Sequence, residues 1–201
     1  MNRKAMLALP VIVGLAVTAA VAGPLAIGAK MPSTDVKMKN VDGSEKTLAE
    51  IAQPAGTLVV FTCNHCPYAK AWEKRIVELG NTYMTKGIGV VAVNSNDPKV
   101  AAGDSFDGMQ VRAKERGMQF PYVVDATSGV ARAFGATKTP EAFLFDKDGK
   151  LVYHGTIDDN GEDAAKVEKW YLKDALEAVA GGKDVAVKET KSIGCSIKFR
   201  S

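Results

Sequence analysis

The chain has 201 residues, 46% of them apolar, and a formal charge of +3, enough for one domain with a full core plus extensions. Its basic residues are scattered and no basic stripe carries interleaved aromatics, which argues against a nucleic-acid partner. Three cysteines, Cys63, Cys66 and Cys195, and only two histidines, His65 and His154, leave no second ligand pair at the spacing of a structural zinc site, so no metal and no cofactor are expected.

The N-terminus reads as a leader. Arg3 and Lys4 precede an uncharged run from Ala5 to Ala29, and Ala20-Val21-Ala22 supplies the small residues of a cleavage site, so residues 1–22 are expected to be a signal peptide. The rival reading is an uncleaved anchor, because the run could cross a bilayer of ~30 Å; Gly14, Gly23, Pro24 and Gly28 weaken it. A membrane is a partner only in that case. No cysteine follows the run and no Arg-Arg pair is present, which excludes lipoprotein anchoring and argues against the twin-arginine route. Export implies a periplasmic or otherwise extracytoplasmic location, where thiols tend to be oxidised.

After a linker at 23–30, one domain is expected over 31–182, followed by a C-terminal extension, 183–201, that carries Cys195. Lys30–Asn40 is an entry segment, Asp42-Gly43 a turn, and Lys46–Ala52 a short helix. Thr57–Thr62 is a buried β-branched strand. Ala69, Trp72, Ile76, Leu79 and Tyr83 recur at helical steps, predicting a helix that runs from Asn64 to about Lys86. Ile88–Val93 is nearly all apolar, as a central parallel strand should be. Residues 98–116 form one broken or two short helices, Phe120–Val124 a third strand, and Ser128–Phe134 a helix stopped by Gly135. Ala142–Phe145 and Leu151–His154 flank Asp146-Lys147-Asp148-Gly149, a hairpin signature. Val167 to Val179 is a last amphipathic helix, with Trp170, like Trp72, in its apolar stripe. Alternating β and α followed by a hairpin implies a mixed sheet with helices on both faces.

The strand ending in Cys63-Asn64-His65-Cys66-Pro67 carries the chemistry. Cys63 is expected at a helix N-terminus, where free N–H groups and the helix dipole stabilise a thiolate and lower its pKa. His65 is either a tolerated surface residue or an added positive charge beside that thiolate, the second being favoured. Cys63 and Cys66, one turn apart, make a complete local couple for disulfide exchange, with Cys63 attacking and Cys66 resolving. Cys195 is left over: an inert tail thiol, or a secondary redox or binding group. His154 reads as structural.

The run Phe61-Thr62-Cys63-Asn64-His65-Cys66-Pro67, the strand Val90–Asn94, Phe120–Asp125, Gly129–Gly135 and Thr139–Asp146 together resemble the thioredoxin-fold redoxins of the AhpC/TSA type over roughly residues 30–182. The tail Gly194-Cys195-Ser196-Ile197-Lys198 resembles, with Cys-Asn-His-Cys-Pro-Tyr, a peroxiredoxin-like subfamily, whose motif usually ends in Trp where Phe199 stands. The resemblance implies a thioredoxin-like three-layer α/β/α sandwich. It implies that Pro140 is a cis-proline facing the dithiol, and that the Thr139 backbone pairs with an extended substrate strand.

Three functions follow as expectations. The first is an exported thiol–disulfide oxidoreductase acting on a protein thiol or disulfide partner. The second is a peroxidase in which Cys63 becomes a sulfenic acid resolved by Cys66 or Cys195, although neither Cys63 nor Cys66 has the P-x-x-x-T/S-x-x-C pattern of true peroxiredoxins. The third is a non-enzymatic copper-binding or delivery protein, since thiolate and imidazole suit Cu(I); related copper carriers space their cysteines one residue further apart.

Overall fold

The computed structural model describes residues 23–201; the leader expected at 1–22 lies outside them. No helix among the described residues is long and apolar enough to cross a membrane.

A short hairpin opens the domain. β1 (Met38–Asn40) pairs antiparallel with β2 (Glu45–Lys46). Its turn is set by Asp42, which accepts the Ser44 N–H, and by Gly43 at φ +87°. Helix α1 (Leu48–Ile51) starts in a capping box between Thr47 and Glu50. β3 (Gly56–Phe61) and β4 (Ile88–Asn94) are buried along their whole length and are joined by α2 (Pro67–Met84). A 3₁₀ turn (Ala102–Asp104) and α3 (Phe106–Arg116) lead to β5 (Tyr122–Val124). Then come α4 (Gly129–Phe134), β6 (Lys138–Thr139), β7 (Glu141–Asp146), β8 (Leu151–Gly155), α5 (Tyr171–Ala180) and β9 (Cys195–Ser196).

Seven strands lie in the order β2-β1-β5-β4-β3-β7-β8, with β3 and β4 linked where the Thr62 N–H meets the Val93 carbonyl at 3.0 Å. β4 and β5 are parallel, while β3–β7 and β7–β8 are antiparallel, so the sheet is mixed. The two-residue period of the central strands splits the core in two. Leu58, Val60, Val90 and Ala92 face Trp72 and Ile76 of α2 and Leu172 and Leu176 of α5. Val59, Phe61, Val91 and Val93 face Leu48 of α1 and Val130 and Phe134 of α4. The result is the expected three-layer α/β/α sandwich.

Several boundaries differ from the expectation. Residues 23–30 are not a free linker: the Leu25 N–H bonds to Phe134, the Gly28 N–H to Leu151, and Leu25 and Ile27 pack on the core. The last helix begins at Tyr171, not 167, because the chain before it is bonded to the loop after β8, through Asp159 N–H to Lys169 and Glu168 N–H to the Asp159 carboxylate. Trp170 therefore caps α5 half-buried and is not part of its stripe. Residues 183–201 are not a loose extension. They return along β8, where the Thr190 N–H bonds to His154. A Cβ on Gly155 would fall 2.0 Å from the Thr190 hydroxyl, so glycine permits that approach. Near its end the tail buries Ile197 in the core beside α4.

Candidate active site

The chain leaves β3 at Phe61 and turns through Cys63-Asn64-His65 before α2 begins at Pro67 with Cys66 as its N-cap. The helix thus starts three residues later than the periodicity suggests. Pro67 fits at the first helical position, where its missing N–H has no partner to lose. Cys63 sits in the strand-to-helix turn, as expected, but Cys66 is the N-cap and not a residue of the first helical turn.

A buried carboxylate builds this turn. Asp104, from the 3₁₀ turn before α3, accepts the Asn64 N–H on Oδ1 at 2.7 Å. On Oδ2 it accepts the Asn96 side-chain amide, and His65 Nδ1 stands 2.7 Å from the same oxygen. A carboxylate only accepts, so Nδ1 carries the proton there. Asn64 donates to the Gly103 carbonyl and accepts from the Tyr122 hydroxyl at 2.9 Å. The Asn64 N–H and both polar atoms of its side chain are thereby engaged. Asp104 has no counterpart in the sequence reading; it lies just ahead of a helix start and nothing in its local spacing links it to residues forty positions earlier.

The opposite wall is the loop before β7. The Thr139–Pro140 bond is cis, the form that the resemblance implies. Thr139 Oγ1 lies 3.4 Å from Cys63 Sγ, and the Thr139 carbonyl oxygen lies 3.3 Å from Cys66 Sγ. Glu141, immediately after the proline, accepts the Thr137 and Lys138 N–H groups at 2.8 Å on one oxygen. Its other oxygen meets His154 Nε2 at 2.7 Å and the Ser192 hydroxyl. His154 is structural, stacked on Phe143 and tied to the carboxylate. Burial pushes the Glu141 carboxyl up, but the His154 bond and the two N–H donors together hold it below its ordinary 4.5.

The disulfide differs from the expected pairing. Cys66 is joined to Cys195, 129 residues away, with Cα atoms 6.2 Å apart, and Cys63 is the free thiol. β9 brings Cys195 there by pairing antiparallel with β6, Cys195 opposite Thr139. Cys63 and Cys66 are 3% and 0% exposed, whereas Cys195 is half-buried. The Cys63 thiol is also not activated as expected. Burial pushes its pKa up from 9.0; the Thr139 hydroxyl opposes this, the Asp104 charge adds to it, and the Cys66 and His65 N–H groups offset part. His65 pairs with Asp104 and does not stand as a lone cation beside the sulfur.

Cys63 Sγ, a His65 nitrogen and an Asp104 oxygen lie within 4.8 Å of one another. Both Asp104 oxygens already accept hydrogen bonds, and the set is one ligand short of a tetrahedral structural site.

Comparison with known proteins agrees with this architecture. A solved structure of an uncharacterized conserved protein from Geobacillus kaustophilus superposes with a TM-score of 0.81 at 39% identity, covering 87% of this chain and 93% of that one. A thioredoxin-like protein solved in its oxidized form shares the fold at TM-score 0.58 and 19% identity, covering 79% of this chain and 97% of that one. The thiol-disulfide oxidoreductase ResA of Geobacillus thermodenitrificans is 28% identical over 135 residues, which is 66% of this chain and 72% of that protein. The profile of the AhpC/TSA family matches residues 27–154, a span that holds Cys63, Cys66 and the cis-proline loop but not Cys195. The chain therefore belongs to the AhpC/TSA family.

Proposed function

We propose that the chain is a thiol–disulfide oxidoreductase in which Cys66 is the pivot, disulfide-bonded to Cys195 in one state and to Cys63 in another. The observation that carries this reading is the convergence of all three sulfurs on Thr139: two of them touch it, and the third belongs to the residue paired with it. A thiolate, a disulfide and a leaving thiol in one cluster are the components of exchange. The name of the ResA relatives points the same way. Its partner is a protein thiol or disulfide, and Thr139 and Pro140 form the wall against which it is held. Peroxide reduction is less well supported: the free thiol is buried, its pKa is raised, and its nearest charge is the Asp104 carboxylate. An extracytoplasmic location is proposed from the leader-like residues 1–22, and a redox-active disulfide suits it.

Turnover of a disulfide reporter by the full chain tests this reading. Cys66→Ser should abolish turnover, since both disulfides contain Cys66. Turnover that survives Cys66→Ser would refute it.

A further inference from the structure

The edge beside the cis-proline is already filled. β9 pairs with β6, Thr139 opposite Cys195 and Lys138 opposite Ser196, and the Ile197 N–H continues the ladder to the Thr137 carbonyl at 2.9 Å. A strand hydrogen-bonded to this edge and disulfide-bonded to Cys66 has the chemical form of a mixed disulfide with a bound polypeptide.

The strand's side chains meet three different surroundings. At the residue before the cysteine, a Cβ on Gly194 would stand 2.2 Å from the Thr139 carbonyl oxygen, so no side chain fits. At the residue after it, Ser196 is exposed and within reach of Lys138 Nζ. Two residues after it, Ile197 is 5% exposed in the core cluster that contains Val130, Phe134 and Ala136. Beyond it the Lys198 N–H bonds to Asn96 and the Asp97 N–H to the Lys198 carbonyl, both at 2.7 Å.

We propose, resting on the oxidoreductase reading, that this edge is a docking site for an extended cysteine-bearing polypeptide of the pattern glycine–cysteine–polar–aliphatic, and that residues 194–197 are its resident occupant. The Cys63 thiolate attacks Cys66 Sγ; the Cys63–Cys66 bond forms, the Cys66–Cys195 bond breaks, and Cys195 leaves as a thiolate that takes up the proton Cys63 gave to solvent. The exchange is redox-neutral and unpins the strand. A partner thiolate then attacks Cys66 Sγ, returning Cys63 as a thiolate and putting the partner's cysteine where Cys195 stood.

The test uses the full-length reduced chain and three peptides of the sequence 192–199, each activated as a mixed disulfide with the same leaving group. One has the native sequence, one carries Gly194→Ala and one Ile197→Asp. Native peptide should be taken up at least about tenfold faster than either variant, as expected for loss of a buried aliphatic contact or of strand pairing. In parallel, amide exchange at Ile197 should accelerate when the full chain is reduced. Equal rates for the three peptides, or an Ile197 amide equally protected in both redox states, would overturn the inference. If a small disulfide reporter is still turned over in that case, the oxidoreductase reading survives alone; if neither reporter nor peptide reacts, both fall.

Discussion

Thr139 and Cys195 are register partners across the β6–β9 pair, and the same Thr139 touches Cys63 through its hydroxyl and Cys66 through its carbonyl oxygen. One residue ahead of the cis-proline therefore meets all three cysteines of the chain. The tail thiol is brought to the site by main-chain pairing, which does not depend on the spacing of the local Cys-x-x-Cys.

The reactivity of Cys63 should reflect its burial. In the oxidised chain, alkylation at pH 7 is expected to be at least about tenfold slower than that of an exposed thiol, rising with pH through and beyond 9, because nucleophilicity follows thiolate fraction and access. Thr139→Val removes a contact that lowers the pKa and should slow labelling further. Iodoacetamide kinetics across pH check both; rapid labelling of Cys63 at pH 6–7 would contradict the assignment.

Asp104 should carry the active-site turn. Asp104→Ala leaves the buried Asn64 N–H and Asn96 amide without an acceptor and is expected to cost about 2–4 kcal/mol of stability. Asp104→Asn keeps an acceptor and should cost less. Urea unfolding midpoints measure the difference, and equal, near-zero effects for both variants would refute the role.

Glu141 links the cis-proline loop to His154 and Ser192. Its folded pKa lies below the ordinary 4.5, so its ionised form stabilises the fold fully above the unfolded value, and that contribution is lost as pH falls through the folded value. The stability gap between the native chain and Glu141→Gln should be constant near neutrality and should shrink below about pH 4.5. A gap that widens toward acid would show the opposite sign of shift.

Sequencing the exported protein should find its N-terminus at or near Gly23. That cut would leave intact the segment in which Leu25 and Ile27 pack on the domain. Full-length chain confined to membranes would favour the anchor instead.

The layers of this fold were legible in the sequence because burial leaves a period: β3 and β4 are apolar on both faces, and the stripe of α2 runs from Ala69 to Tyr83. Cys63, Cys66 and Pro140 were legible because they carry a compact motif and a resemblance. The pairing of Cys66 with Cys195 was not, since spacing reports only local neighbours and this bond joins residues 129 positions apart. Asp104 was hidden for the same reason. The raised pKa of Cys63 depends on how deeply the tail and the Thr139 loop cover it, which no motif encodes.

The most direct test is disulfide mapping of the full chain, oxidised, alkylated under denaturing conditions and cut with trypsin. Cys63 and Cys66 fall on one peptide, 47–70, and Cys195 on another, 192–198. The expected result is the two peptides joined, with the alkyl group on Cys63. Complete absence of the joined pair, with every 47–70 peptide closed on itself and every 192–198 peptide alkylated at Cys195, would contradict the account, which requires the Cys66–Cys195 bond as one of its two states.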